Sequence, residues 1–362
     1  MAMGSMTRRS FLAATGASAL ALTACGGGSN GGSNSSSNGG SSDAGKADGT
    51  VVVEMVTDTG GVNDQSFNQL AWQGMKKLES ENGWKVSYIE SKQESDFATN
   101  LDKAIDDNSS VVWGIGYAMG EAINNAAEMN PDVKFAAIEC SNEKDLENLV
   151  GVAFKSCQPS FLVGYIAARM SESGKVGFVG GMTSPTIQEF EYGYYAGVEY
   201  ANKENSTSVK YQGQYAESFG DAAKGSAIAK SMITDGCDVL FHAAGGTGVG
   251  MLEECNNSGV WAIGVDQDQA VLFPEYTTII TSALKKVDEA VVTVTNGILD
   301  GSIKPGNIVL GAAEDAVGLA ETHTQIPDDI YKAAMDLLEK IKSGAIEVPQ
   351  TKDEFDAYVK TL

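Results

Sequence analysis

Short apolar runs alternate with longer segments of helical period through most of this chain, and few folds accommodate that alternation. It is the mark of βαβ units, in which parallel strands are joined by crossover helices. The pattern predicts strands at 51–56, 85–89, 111–115, 134–138 and 149–154, then a second series at 175–179, 208–212, 239–242, 261–265 and 278–281. Helices are predicted at 66–82, 97–107, 120–129, 161–173, 187–205, 221–235 and 248–258. Two similar series imply an α/β protein of two Rossmann-like lobes with parallel sheets and a hinge. After them come a helix to about residue 300, a short run at 307–310 and a charged helix at 328–342. Read as returns between lobes, these assign residues 50–156 with about 285–305 to the first lobe and 157–284 with about 306–347 to the second. Residues 348–362 are left as a docked tail.

Right-handed crossovers bring every strand's carboxyl end to one edge of its sheet, where open α/β folds bind ligands. Here the polar, aromatic and glycine-rich stretches fall at those ends. They are 58–68, Gly116-Tyr117 and Glu139 in the first half, and 180–190, 243–250 and 266–269 in the second. Two such edges facing each other would enclose a cleft.

The first residues read as an export signal rather than as core. Met1 to Ser5 resemble a cloning scar before a natural start at Met6. Arg8 and Arg9 supply positive charge, and an apolar run too short to span a bilayer follows. Leu22-Thr23-Ala24-Cys25 resembles a bacterial lipobox, so residues 1–24 are expected to be removed and Cys25 to carry lipid at the new N-terminus. Arg8-Arg9-Ser10-Phe11-Leu12 also resembles a twin-arginine signal, which leaves the Tat and general secretory routes both open. Residues 25–49 are nearly all Gly, Ser and Asn beyond Cys25, a composition with no apolar surface to offset ordering, and read as a tether. The expected location is extracytoplasmic, with the membrane touched through the lipid anchor only.

The formal charge is −23 and becomes more negative once Arg8 and Arg9 are lost, which excludes nucleic acid as a natural partner. The remaining cysteines, Cys140, Cys157, Cys237 and Cys255, are even in number in an oxidising compartment. They permit local disulfides 140–157 and 237–255, or four buried free thiols.

Parts for catalysis are scarce. The two histidines, His242 and His323, lack the spacing of a zinc site, and beyond the Gly/Ser/Asn stretch at 25–49 there is neither a Gly-x-Ser-x-Gly elbow nor a phosphate-loop motif. Gly245-Gly246-Thr247-Gly248-Val249-Gly250, with Asp266 some way beyond, approaches a dinucleotide fingerprint but has the spacing G-x-G-x-G. Backbone donors at a helix start and a carboxylate at a strand end would still suit a nucleoside without a pyrophosphate.

Asp58-Thr59-Gly60-Gly61-Val62-Asn63-Asp64-Gln65-Ser66-Phe67-Asn68-Gln69 resembles the opening signature of the BMP (basic membrane protein) family of PnrA-like lipoproteins. Further matches are Gly174-Lys175-Val176-Gly177-Phe178-Val179-Gly180-Gly181-Met182, Phe190-Glu191-Tyr192-Gly193-Tyr194-Tyr195, His242-Ala243-Ala244-Gly245-Gly246-Thr247-Gly248 and Ile263-Gly264-Val265-Asp266-Gln267-Asp268-Gln269. The resemblance implies the type I periplasmic-binding-protein fold and a monomeric binder of purine nucleosides that delivers its ligand to an ABC transporter permease, without cofactor or catalysis. It implies that Phe67 and Phe190 sandwich the base, that Asn68 bonds to it, and that Asp58, Asp266 and Lys285 hold the ribose, assisted by the backbone at Gly245 and Gly246. Glu139 stands where the family often has Asp, which puts the base preference in question. A sugar or autoinducer ligand in the same fold, or an exported nucleoside-processing or NAD-dependent enzyme, are the alternative readings.

Overall fold

The computed structural model describes residues 50–362. The signal at 1–24, Cys25, the twin-arginine pair and the tether at 25–49 lie outside the described residues. The strands are β1 (Val52–Thr57), β2 (Lys85–Ile89), β3 (Val111–Ile115), β4 (Phe135–Ile138), β5 (Leu149–Phe154), β6 (Lys175–Gly180), β7 (Lys210–Tyr215), β8 (Val239–Ala243), β9 (Trp261–Asp266), β10 (Ile279–Lys285), β11 (Gly306–Leu310) and β12 (Val317–Leu319). The helices are α1 (Phe67–Asn82), α2 (Phe97–Asp106), α3 (Gly120–Met129), α4 (Cys157–Met170), α5 (Pro185–Asn205), α6 (Ala222–Thr234), α7 (Gly245–Ser258), α8 (Gln269–Leu272), α9 (Val287–Asp300), α10 (Asp328–Lys342) and α11 (Lys352–Val359).

Two six-stranded sheets result, ordered β11-β5-β4-β3-β1-β2 and β12-β10-β9-β8-β6-β7. The first is parallel throughout, and the second is parallel except for β12, which runs against β10. Central strands such as β3 and β8 are buried along their whole length, which is why they read as continuous apolar runs. Helices cover both faces, and the chain passes between lobes after β5, after β10 and after β11. The helix α9 returns to the first lobe, where Trp113 Nε1 donates to Thr295 Oγ1 at 2.9 Å.

The sequence split at 305/306 is corrected by the structure. The strand β11 pairs with β5, from Gly306 opposite Val150 to Leu310 opposite Phe154, and so belongs to the first sheet. The cause is local: Asn307 Oδ1 accepts from the Asn142 backbone N–H at 2.7 Å, and Gly151 leaves room for that side chain. The crossing into the second lobe therefore follows residue 310. The tail is a helix whose Phe355 is buried against Tyr192, Tyr195 and Tyr211.

The disulfides 140–157 and 237–255 are absent; all four cysteines are free and buried. Cys140 and Cys157 sit in different core clusters, their thiols directed at the carbonyls of Gly116 and Val348. Cys237 and Cys255 share a cluster but are not bonded to each other; Gln212 donates to the first and the second lies 3.5 Å from Met251 Sδ. Burial pushes all four thiols up and keeps them neutral.

Candidate functional site

The carboxyl ends of the two sheets meet around a cavity of ≈ 260 Å³. That is the scale of a pocket for one small molecule. Asp58, Phe67, Asn68 and Glu139 line it from the first lobe, and Phe190, Gly245, Asp266 and Lys285 from the second. Gly246 is not among the lining residues; it packs beside the Phe219 carbonyl and Asp64. The glycine run is also not a loop, since α7 begins at Gly245 and its amino end faces the cavity.

The first-lobe wall is organised before any partner arrives. Asp64 Oδ1 accepts from the backbone N–H groups of Ser66 and Gln69 at 3.0 Å each, and its Oδ2 from that of Asn68 at 2.9 Å. One carboxylate thus satisfies two of the free donors at the start of α1 and that of Ser66 before it, which fixes the turn carrying Phe67 and Asn68. The Asn68 amide donates to Asp58 Oδ1 at 2.9 Å and to Asp64 Oδ2 at 3.1 Å. Asp58 also accepts from Gly60 N–H, and glycine at 116 is required because a β-carbon there would fall 2.4 Å from Asp58 Oδ2. Asn68 Oδ1 is buried with no hydrogen-bond partner. An unpaired buried acceptor is costly, so a ligand N–H or O–H has a ready place to donate.

The second-lobe wall carries the cation. Lys285, 3 % exposed at the end of β10, lies 2.8 Å from Glu139 Oε1 and 4.0 Å from Asp266 Oδ1. Its ammonium is 4.7 Å from the ring centroid of Phe67 and 5.1 Å from that of Phe190, so rings from both lobes face one point. Burial would pull the Lys285 pKa down, but the Glu139 and Asp266 carboxylates outweigh it and hold the group charged. Burial raises the Asp266 and Asp58 carboxyls, against Lys285 and Ser66 for the former and Gly60 and Asn68 for the latter. Asp64 is pushed up to about 6 by burial, opposed by its three backbone donors.

The lobes are closed on each other. Ser66 Oγ donates to Asp266 Oδ2, Gln267 Nε2 donates to Gln69 Oε1 at 3.1 Å, and Gln269 Nε2 donates to the Gln65 carbonyl at 3.0 Å. Gln65, Glu139 and Asp266 adopt left-handed backbone conformations, with φ of 54°, 60° and 66°. Such strain at non-glycine residues concentrates where side chains must be aimed.

Sequence reasoning missed Asp64 and Ser66 as organisers, and Phe97 and Phe219 as further lining, while Tyr117 lines the cavity at the strand end where it was expected. The spacing of Asp64 ahead of α1 was a legible capping signal. Phe97 and Phe219 gave none, because only the fold brings these distant segments to one mouth. Among the described residues no cluster of His, Cys, Asp and Glu suits a metal, and no helix is long and apolar enough to cross a membrane.

Residues 51–352 match the model of the PnrA-like ABC transporter substrate-binding proteins, the Bmp family. This chain belongs to the Bmp family. As a Bmp-family protein it is a substrate-binding protein of the ABC transporter type. It is 38 % identical to the CD4+ T-cell-stimulating antigen of Listeria monocytogenes over 95 % of this chain and 99 % of that one. It is 35 % identical to the ABC transporter nucleoside-binding protein BmpA of Lactococcus lactis, covering 84 % of this chain and 91 % of that protein. The crystal structure of an ABC transporter solute-binding protein from Aeropyrum pernix superposes with a TM-score of 0.78 and 27 % identity, over 86 % of this chain and 98 % of that one. The Bmp-family fold here is thus the two-lobed type I periplasmic-binding fold.

Proposed function

We propose that this Bmp-family protein is a lipid-anchored extracytoplasmic receptor that encloses one purine nucleoside and presents it to an ABC importer permease. The observation that carries the reading is the pair Phe67 and Phe190, one from each lobe, converging on the Lys285 ammonium between them. Aromatic walls from two lobes stack on both faces of a base, each worth about 1–3 kcal/mol. Asn68 Oδ1 accepts from the base, and the Asp266 and Lys285 pair takes ribose hydroxyls, which are donors and acceptors alike. Glu139, held by Lys285, shares in that recognition and sets the order of preference among adenosine, guanosine and inosine. Asp58 completes the polar wall through Asn68.

Charge narrows the class further. Five carboxylates, those of Asp58, Asp64, Glu94, Glu139 and Asp266, line the cavity with Lys285 as the one lysine or arginine among the lining residues. A phosphate would meet uncompensated negative charge there, so nucleotides are rejected. Support for the ligand class comes also from the nucleoside-binding relative in Lactococcus lactis. The lipobox at Cys25 and the tether behind it support anchoring, which keeps a hinged monomer near its permease at high effective concentration. Binding is the whole task; nucleoside is expected to return chemically intact.

The test is mass spectrometry of the small molecule released on denaturing protein purified under native conditions. A purine nucleoside mass is expected. A hexose mass would instead favour a sugar, since aromatic and carboxylate walls also suit pyranose rings.

A further inference from the structure

We propose that Gln269, oriented by His242, is a latch that holds the two lobes closed from outside the ligand cavity. The inference rests on the two-lobed binding fold and not on the identity of the ligand. Gln269 is fully buried at the start of α8, and neither it, His242 nor Gln65 lines the cavity.

The direction of the amide follows from its partners. Gln269 Oε1 lies 3.0 Å from the backbone N–H of Val265, which can only donate, so this atom is the acceptor. His242 Nε2, 2.9 Å from the same oxygen, must then carry its proton and donate as well. The Gln269 backbone N–H is held by Ser282 Oγ at 3.1 Å, and Gly264 clears the space, since a β-carbon there would come 2.7 Å from Oε1. With every other group tied inside the second lobe, the Nε2 donor is left pointing across to the Gln65 carbonyl of the first lobe, 3.0 Å away. Gln65 meets it by adopting a left-handed φ of 54°.

His242 is packed for this purpose. It is fully buried, with Nδ1 unpaired, and Gly248 leaves its ring just enough room, a β-carbon there falling 1.9 Å from Nδ1. Burial pulls its pKa down to about 4, with the bond to Gln269 acting the other way, so the ring is neutral and its single proton is committed to the amide. When the lobes part, Gln269 loses its bond to Gln65 and keeps those to Val265, His242 and Ser282. The latch therefore adds to closed-state stability equally for every ligand.

The test uses the full chain at pH 8 with Gln269→Glu, which keeps acceptors for Val265 and His242 but replaces the cross-lobe donor by an acceptor. Calorimetry with adenosine and with guanosine should show about the same tenfold weakening for both. Hydrogen exchange without added ligand should quicken in peptides spanning 62–70 and 265–272 and not in the sheet cores of either lobe. Unequal losses would make Gln269 a ligand contact, and unchanged exchange or exchange quickened throughout the second sheet would make it merely structural; any of these overturns the latch. If neither nucleoside binds, the nucleoside reading fails and exchange alone decides the latch. Should Gln269→Glu not fold, His242→Gln, which keeps an N–H at the Nε2 position, should retain slow exchange in both peptides, while His242→Leu loses it; equal behaviour of the pair contradicts the proposal.

Discussion

The two lobes share one strand order, yet they equip their cleft edges in opposite ways. The first lobe's wall is bonded within itself: Asp64 caps α1, and Asp58 and Asn68 hold each other. The second lobe's key groups each reach across the cleft as well, Lys285 to Glu139, Asp266 to Ser66 and Gln269 to Gln65. The first lobe is thus a preformed platform, and the second becomes complete on closure. A ligand that fills the cavity selects the state in which those cross-lobe bonds exist.

The comparison breaks most severely at Lys285. Lys285→Met leaves Glu139 and Asp266 buried without their shared cation, a loss of about 3–5 kcal/mol for a broken buried pair. Thermal unfolding should show a large drop, and calorimetry ligand affinity weakened by at least about a hundredfold. A variant binding as tightly as the wild type would remove Lys285 from the site.

The acid limb of stability sharpens the contrast next. The strand β8 carries His242, whereas β3 in the same position of the first sheet has no ionisable side chain. The folded pKa lies near 4 against 6.5 in the unfolded chain, so the unfolded state binds more protons between those values. Stability is therefore fully present above pH 6.5 and declines as pH falls toward 4, by about 3 kcal/mol from this group. Chemical denaturation across that range should show the decline, and His242→Gln should flatten its share of it.

The aromatic pair distinguishes the lobes more finely. Phe67→Ala and Phe190→Ala should each cost about 1–3 kcal/mol of binding. Phe190, 2 % exposed and packed on Phe241, should also lower the melting temperature, whereas half-buried Phe67 should do so much less. Calorimetry and thermal melts on both variants read the split. The smallest effect is expected of Glu139→Asp, which shortens the partner of Lys285 by one methylene; competition between adenosine and guanosine should change rank or ratio by about tenfold with little change in stability.

Much of the architecture was legible because buried parallel strands are continuous apolar runs, and most strand cores fall where periodicity put them. What escaped had weak local signals. The three residues Val317–Leu319 form β12 only because β10 offers them a partner. The first turn of α7 was hidden by its glycines, and β11 went to the wrong lobe because the Asn307 and Gly151 contact is invisible in one dimension. The cavity-lining aromatic pair and Lys285 could be named from family resemblance, whereas Ser66 with Asp266, 200 positions apart, and His242 with Gln269, 27 apart, required the fold.

Isothermal calorimetry on protein freed of ligand by unfolding and refolding tests the central claim most directly. The panel is adenosine, guanosine, inosine, their 5′-monophosphates and glucose. At least one nucleoside should bind with a Kd of about a micromolar or tighter, and its monophosphate about a hundredfold more weakly. Silence across all three nucleosides, or a monophosphate bound as tightly as its nucleoside, would contradict the account.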